Sequence, residues 1–373
     1  MKKQSCWRFL LMMIWLPLFS CSKEDDRDEL PDDEWPSDSI RVVKGGLQFP
    51  WEIIWGPDDH IWMTERTGRL SRIDPRSGET VFAAQIEGVV SRGEGGLLGM
   101  ALDPDFRDNG LIYLVHNYLS GDNYLEKLVR YRFANNSLSD ETVLLEEIPA
   151  ANIHNGSRLH IIGSNPALLY MTTGDASQAA QAQNAGSLSG KLLRMKLDGS
   201  PAEDNPVTGD YWWTLGHRNP QGLVWAKDRL YASEHGPNIE DEINIIEKGR
   251  NYGWPEVNGP CDGGELPFCD ANQVREPIWS SGGGTVAACG LDYYNHDRIP
   301  AWKDALLMTT LKDQTLYVHH LNDDGSAITG TEQFFRGEWG RLRDICVSPA
   351  GRVYLCTSNG SNQDVLVEIS RLE

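Results

Sequence analysis

The sequence predicts an all-β fold, a six-bladed β-propeller closed by an N-terminal strand. Three observations predict it. Apolar stretches are short, rich in β-branched and aromatic residues, and punctuated by turns of Pro, Asp, Gly and Asn, with no helical periodicity. One strand–turn–strand theme recurs six times along the chain. A spare strand, Ile40-Arg41-Val42-Val43, precedes the first unit and is placed to complete the last.

The units follow in order. Trp51 to Ile73 runs from Trp51-Glu52-Ile53-Ile54-Trp55 through a Pro57-Asp58-Asp59 turn to Ile61-Trp62-Met63-Thr64 and then Arg69 to Ile73. Leu98 to Phe133 repeats this around Asp103-Pro104-Asp105 and Leu111 to Leu114, and Arg158 to Leu197 around Leu168 to Thr172. Pro220 to Ile246, Gly290 to His320 and Arg341 to Leu372 are the other three. Starts roughly 50 to 70 residues apart, each with three or four strands, are the size of propeller blades. A β-helix has shorter and stricter repeats, and a pair of sandwiches needs a central linker that is not visible. The insertions Gly174 to Gly190 and Gly253 to Gly282 are expected on one face, with the functional site.

Before the blades, residues 1–20 read as a lipoprotein signal peptide. Lys2, Lys3 and Arg8 precede an apolar run from Phe9 to Phe19 that is too short to span a bilayer comfortably. Leu18-Phe19-Ser20-Cys21 resembles a lipobox, which makes Cys21 the lipidated residue; the alternative is ordinary cleavage beside an incidental cysteine. Residues 21–39 are acidic, poor in large apolar side chains, and read as a disordered tether. Lys23-Glu24-Asp25-Asp26 resembles a surface-export signal or is simply acidic linker. The expected location is the bacterial cell envelope, anchored at the outer membrane. Residues 40–373 form the propeller domain.

The chain of 373 residues carries 34 Lys+Arg against 54 Asp+Glu, a net charge of −20 that repels nucleic acid. Of seven cysteines, Cys261 and Cys269 are spaced to bridge a short loop, Cys346 and Cys356 flank a turn at Pro349-Ala350-Gly351 and are expected to face each other, and Cys289 is left over.

No Gly-x-Ser-x-Gly, His-Glu-x-x-His or phosphate-binding glycine loop is present. The chemistry-bearing residues lie instead in four polar segments at blade edges: Asn152 to Leu159, Thr173-Gly174-Asp175, Leu215 to Leu223, and Ser233 to Asn238 followed by Glu240-Asp241-Glu242. Taken singly, each is ordinary turn chemistry or a solvated acidic face.

Jointly and in this order, His154-Asn155-Gly156-Ser157-Arg158-Leu159, Gly216-His217-Arg218-Asn219-Pro220-Gln221-Gly222-Leu223 and Glu234-His235-Gly236-Pro237-Asn238 resemble the soluble PQQ-dependent (pyrroloquinoline quinone) glucose and aldose sugar dehydrogenases, the glucose/sorbosone dehydrogenase family. Glu94-Gly95-Gly96-Leu97-Leu98-Gly99, Ser189 to Arg194 and Asn251-Tyr252-Gly253-Trp254-Pro255 extend the resemblance over the mature domain. It implies an aldose substrate oxidised at its anomeric hydroxyl to a lactone, with hydride passing to PQQ. It implies His154 as the general base, Asp175 as the carboxylate that orients it, and Arg218 as the cation at the reacting carbonyl. Asn219, Lys312, Arg341 and Arg343 match cofactor contacts, the three cations suiting a tricarboxylate in an acidic protein.

The resemblance also implies calcium: one ion on the backbone carbonyls of Gly236 and Pro237, and a structural one on Glu242 and the Tyr252 carbonyl. Glu94 stands where glucose dehydrogenases have Gln, which places it against the sugar. Ala288-Cys289-Gly290 replaces the family's Ala-Pro-Ser-Gly near the cofactor. The competing readings are a calcium-dependent propeller lactonase and a non-catalytic carbohydrate-binding propeller. The electron acceptor is not legible.

Overall fold

A computed structural model describes residues 35–164 and 166–372. The signal peptide, Cys21 and most of the acidic tether lie outside the described residues. Ser37 and Ser39 are fixed: Arg371 Nη2 donates to the Ser37 carbonyl at 3.0 Å and the Ser370 amide to that of Ser39 at 2.8 Å.

Within Pro36–Glu373, 24 strands form six four-stranded antiparallel sheets. β1 (Ile40–Leu47) comes first. Blade one is β2 (Pro50–Trp55), β3 (Ile61–Glu65), β4 (Arg69–Ile73) and β5 (Thr80–Gln85). Blade two is β6 (Leu97–Leu102), β7 (Leu111–Ser120), β8 (Asn123–Ala134) and β9 (Ser137–Pro149). Blade three is β10 (Gly156–Ile162), β11 (Leu168–Thr173), β12 (Lys191–Lys196) and β13 (Trp212–Leu215). Blade four is β14 (Pro220–Ala226), β15 (Arg229–Glu234), β16 (Glu242–Ile246) and β17 (Trp279–Ser280). Blade five is β18 (Ala288–Tyr294), β19 (Ala305–Thr310), β20 (Leu316–Leu321) and β21 (Ile328–Phe334). Blade six is β22 (Leu342–Val347), β23 (Val353–Thr357) and β24 (Asp364–Ile369), completed by β1. The six-bladed propeller and its closing strand are as the sequence predicts.

The first strand of each blade touches those of its two neighbours, so β2, β6, β10, β14, β18 and β22 close a ring. A blade has a sheet on either side and must bury both faces. Strands such as β3 are therefore buried along their whole length instead of alternating. The core lies between blades. Trp62 of blade one meets Phe106 and Phe133 of blade two edge-on, at ring-centroid distances of 5.6 and 4.9 Å. Between blades five and six, Trp302, Leu307 and Val318 pack on Ile345, Leu355 and Val367. Closure is antiparallel, Val42 opposite Val367, and Arg41 reaches the buried Glu368 carboxylate at 2.6 Å.

In a meander, the start of the first strand and the end of the second lie at the same edge. The segments before β6, β10, β14 and β22, and those after β3, β11, β15 and β19, therefore converge on one face of the ring. Both long insertions come to that face.

Cys261 and Cys269 are disulfide-bonded, with Cα atoms 6.3 Å apart. The pairing expected for Cys346 and Cys356 does not form. Val347 pairs with Val353, and that register sets Cys346 opposite Tyr354 and Cys356 opposite Asp344. Both thiols, and that of Cys289, are free and buried.

Candidate active site

His154 sits in the turn that leads into β10, at φ 62°. The turn is tight: a Cβ on Gly174 would lie 1.9 Å from the His154 carbonyl, so only glycine fits there. Asp175, just after β11, accepts a hydrogen bond from His154 Nδ1 at 2.9 Å on Oδ1 and one from the Ser177 amide at 2.8 Å on the same oxygen. Its Oδ2 accepts the Trp254 indole N–H at 2.9 Å. An ionised carboxylate only accepts, so Nδ1 carries the proton and Nε2 keeps a free lone pair. The geometry thus builds an oriented histidine base with a buried carboxylate behind it.

Arg218 comes from the turn before β14. Glu234, at the end of β15, holds that turn: its Oε1 accepts the Arg218 and Asn219 amides, and its Oε2 accepts His217 Nδ1 at 2.9 Å. The Arg218 guanidinium donates through Nη1 to the His235 carbonyl at 2.9 Å and lies 5.4 Å from the Trp254 ring centroid. Burial lowers its pKa from the ordinary guanidinium value. Asn219 Oδ1 accepts the Gly156 amide at 3.1 Å, which ties the base's turn to the arginine's.

Arg343, at the start of β22, is almost fully buried and donates through Nη1 to Gln221 Oε1 at 2.9 Å and to Cys289 Sγ at 3.1 Å. Cys289 thus forms part of the floor under this arginine. Arg341 lies exposed above it. Arg66, which follows β3, completes the group: it donates to the Gly93 carbonyl at 2.6 Å and covers the Phe49 ring at 4.5 Å. Burial, then repulsion from Arg343 and Arg341, hold Arg66 at about 10, with Glu94 acting in the opposite sense. Glu94 Oε2 accepts the His154 amide at 3.3 Å, so Glu94 stands between the arginines and the base. Lys312 is exposed after β19, where its ammonium donates to Thr285 Oγ1 at 2.9 Å and makes no contact with the arginines.

None of Arg66, Arg218, Lys312, Arg341 and Arg343 is ion-paired with a carboxylate among the described residues, and the buried Nε atoms of Arg66, Arg218 and Arg343 have no hydrogen-bond partner. In a chain of net charge −20, such a concentration of unmatched cations is a well for a polyanion. The arginine below them is different: Arg158 is matched by Glu52 at 2.9 Å and Asp344 at 3.0 Å.

Beside Arg218, a void of about 20 Å³ is lined by Glu234, Gly236, Pro237, Glu240, Glu242, Tyr252 and Asn258, among others. Burial, then the charge of Glu234, push Glu242 up to about 8. Glu242 accepts the Gly259 amide at 2.9 Å and Asn244 Nδ2 at 2.7 Å, while the buried Asn258 Oδ1 has no partner. The Gly236 carbonyl accepts His235 Nδ1 at 2.6 Å. Among the described residues, no three His, Cys, Asp or Glu side chains are grouped as a metal site.

The structure thus brings His154, Asp175, Arg218, Asn219, Glu94, Arg341 and Arg343 to one face, and the segment of Gly236, Pro237, Glu242 and Tyr252 beside them. Three contributors carried no role in the sequence: Arg66, Glu234 and Trp254. Glu234 and Trp254 stand inside the Glu-His-Gly-Pro-Asn and Asn-Tyr-Gly-Trp-Pro strings. The only sign of Arg66 is its position at the end of a buried strand, before Thr67-Gly68.

A propeller with a histidine–carboxylate pair beside a cationic well belongs to the class of sugar-oxidising propeller dehydrogenases. The chain belongs to the glucose/sorbosone dehydrogenase family, whose model matches residues 47–367. It is 30% identical to the aldose sugar dehydrogenase YliI of Escherichia coli over 346 residues, which cover 87% of this chain and 91% of that protein. Quinoprotein glucose dehydrogenase B of Acinetobacter calcoaceticus is 37% identical over 256 residues, 60% of this chain and 53% of its own length. The PQQ-bound aldose sugar dehydrogenase from Streptomyces coelicolor superposes with a TM-score of 0.75 at 31% identity, over 89% of this chain and 98% of that one. The chain is accordingly an oxidoreductase acting on sugars.

Proposed function

We propose that this enzyme oxidises the anomeric hydroxyl of an aldose to the lactone, using PQQ and calcium. The observation that carries the reading is the set of unmatched cations beside an oriented histidine base. A tricarboxylate fits a well of arginines with orphaned Nε atoms. Arg66, Arg341 and Arg343 would hold its carboxylates, Lys312 would approach it from the mouth, and Asn219 would contact it from the turn before β14. Bound there, PQQ supplies a two-electron quinone acceptor for the hydride of the sugar C1.

The residues of this chain supply the rest. His154 Nε2 takes the proton of the anomeric hydroxyl as that hydride departs, leaving a C=O at C1. Asp175 keeps the imidazole in the Nδ1–H tautomer and stabilises the imidazolium. Arg218 would stabilise the negative charge that develops as hydride leaves the sugar. Glu94, a carboxyl where glucose dehydrogenases have an amide, would accept hydrogen bonds from sugar hydroxyls.

Calcium fits the void beside Arg218. Its lining brings the carboxylates of Glu234, Glu240 and Glu242 together with the orphan Asn258 Oδ1, alongside Arg218, His235, Trp254 and Val257, and the charges of Glu234 and Glu240 act on Glu242. Glu242 and the Tyr252 carbonyl would hold one ion, and the Gly236 and Pro237 carbonyls one next to the cofactor.

The test is reconstitution of the apo-protein. Dye reduction with a panel of aldoses should appear only with PQQ and calcium together, and chelation should abolish it. Background turnover with PQQ demonstrably bound sinks the proposal; lactone hydrolysis without PQQ would favour a propeller hydrolase. We further propose that the exported protein begins at a lipidated Cys21. Intact mass of the membrane fraction should show a diacylglyceryl-modified N-terminus, and an unmodified one elsewhere would overturn this.

A further inference from the structure

We infer that Trp254 is a positioning residue that locks the base pair and Arg218 into one unit. Asp175 comes from blade three, and Trp254 from the long insertion of blade four that rises along the outer edge of blade three. Among the described residues, the indole N–H is the only donor to Asp175 Oδ2, while Oδ1 takes His154 Nδ1 and the Ser177 amide. All three donors together leave the carboxylate one orientation. The same indole lies 5.4 Å from the Arg218 guanidinium, an arrangement that favours the cation over the ring.

The tryptophan backbone is held independently of its side chain. Its amide donates to the Gly216 carbonyl at 3.0 Å, and its carbonyl accepts Gln183 Nε2 at 2.7 Å. Removing the indole N–H therefore leaves the segment in place and frees only the carboxylate, which can then pivot about Oδ1. A base whose partner pivots spends less time aligned, and misalignment costs rate without costing affinity.

The inference rests on His154–Asp175 being the base pair, and two variants test it. Trp254→Phe keeps a ring near Arg218 and removes the N–H. Turnover should fall about tenfold, with sugar KM and PQQ affinity within about twofold of the parent, a split that marks lost alignment and not lost binding. In the apo-protein, the downfield proton resonance of His154 Nδ1–H, identified by its disappearance in His154→Ala, should move and broaden. Trp254→Leu also removes the ring, so PQQ affinity should drop about tenfold in addition, with the loss of the stacked cation.

An unmoved resonance with parental turnover in Trp254→Phe overturns the inference. So does an equal loss of PQQ affinity in both variants, which would make the indole packing alone. The resonance needs neither PQQ nor sugar. If the parent protein proves inactive and the resonance still moves, the dehydrogenase reading fails and the positioning role stands.

Discussion

At the scale of single residues, the site divides into groups that do chemistry and groups that hold charge, and the two should fail differently. His154→Ala removes the proton acceptor and leaves the cationic well intact. Turnover should fall by about two to four orders of magnitude with PQQ affinity unchanged. Arg218→Ala should slow turnover by about two to three orders of magnitude and also weaken PQQ binding, since its charge serves both. Lys312→Ala and Arg66→Met should mainly weaken PQQ binding; the methionine keeps apolar contact with Phe49 while removing the charge. Titration of each apo-variant with PQQ, beside turnover at saturation, separates these outcomes. Normal turnover of His154→Ala at saturating PQQ and sugar would remove it from the chemistry. His154, Asp175 and Arg218 were marked only by the joint resemblance of their strings to the glucose/sorbosone dehydrogenase family, since each string alone reads as turn chemistry. Arg66 was not, because its meaning lies in Arg341 and Arg343, which only ring closure brings near. Trp254 was not, because the carboxylate it serves is 79 residues away in sequence.

At the scale of elements, the first three strands of most blades were legible and the fourth was not. The sequence units end at Ile73, Phe133, Leu197, Ile246 and His320, and in each blade the structure adds one more strand: β5, β9, β13, β17 and β21. In β9 and β21 the omission has a physical cause: these outermost strands have a partner on one side only and lie largely in solvent, so they need few apolar residues. In β9 and β21, most side chains are exposed or half-buried, and the period-two signal is lost. β17 is only two residues long. The inner strands gave the opposite signal, near-continuous apolar runs, because they are covered on both faces. The cysteines show the same boundary of what sequence can say. Cys261 and Cys269 are close along the chain and bridge. Cys346 and Cys356 depend on hairpin register, which the turn residues alone do not determine. The two insertions expected on the functional face carry Asp175 and Trp254 into the site.

At the scale of the whole molecule, the ring arranges charge against the overall balance: an acidic exterior, a cationic well on one face, and buried carboxylates between the blades. These carboxylates make stability depend on pH. Glu52 and Asp344 share Arg158, and Glu242 borders the proposed calcium site, so none of the three reports burial alone. Glu126 of β8 does. Its Oε2 accepts Ser157 Oγ at 2.5 Å, from the start of β10 just after His154, and its Oε1 has no partner. Burial raises it from 4.5 to about 8, the serine hydrogen bond acting weakly in the opposite sense. Between those two values the folded protein holds a proton that the unfolded chain has lost. Stability contributed by Glu126 is therefore full below about 4.5, declines as pH rises toward 8, and is level beyond it. Glu126→Gln replaces the acid by a neutral group of the same shape and should abolish this slope. The variant should melt close to the parent at about pH 5, where both side chains are uncharged. It should melt progressively higher than the parent as pH rises to about 8.5, by several degrees at the upper end. Chelated apo-protein is the form to use, so that calcium binding at Glu242 does not add its own pH dependence. Melting curves of parent and variant that stay parallel across the whole range would show that Glu126 is charged in the folded state.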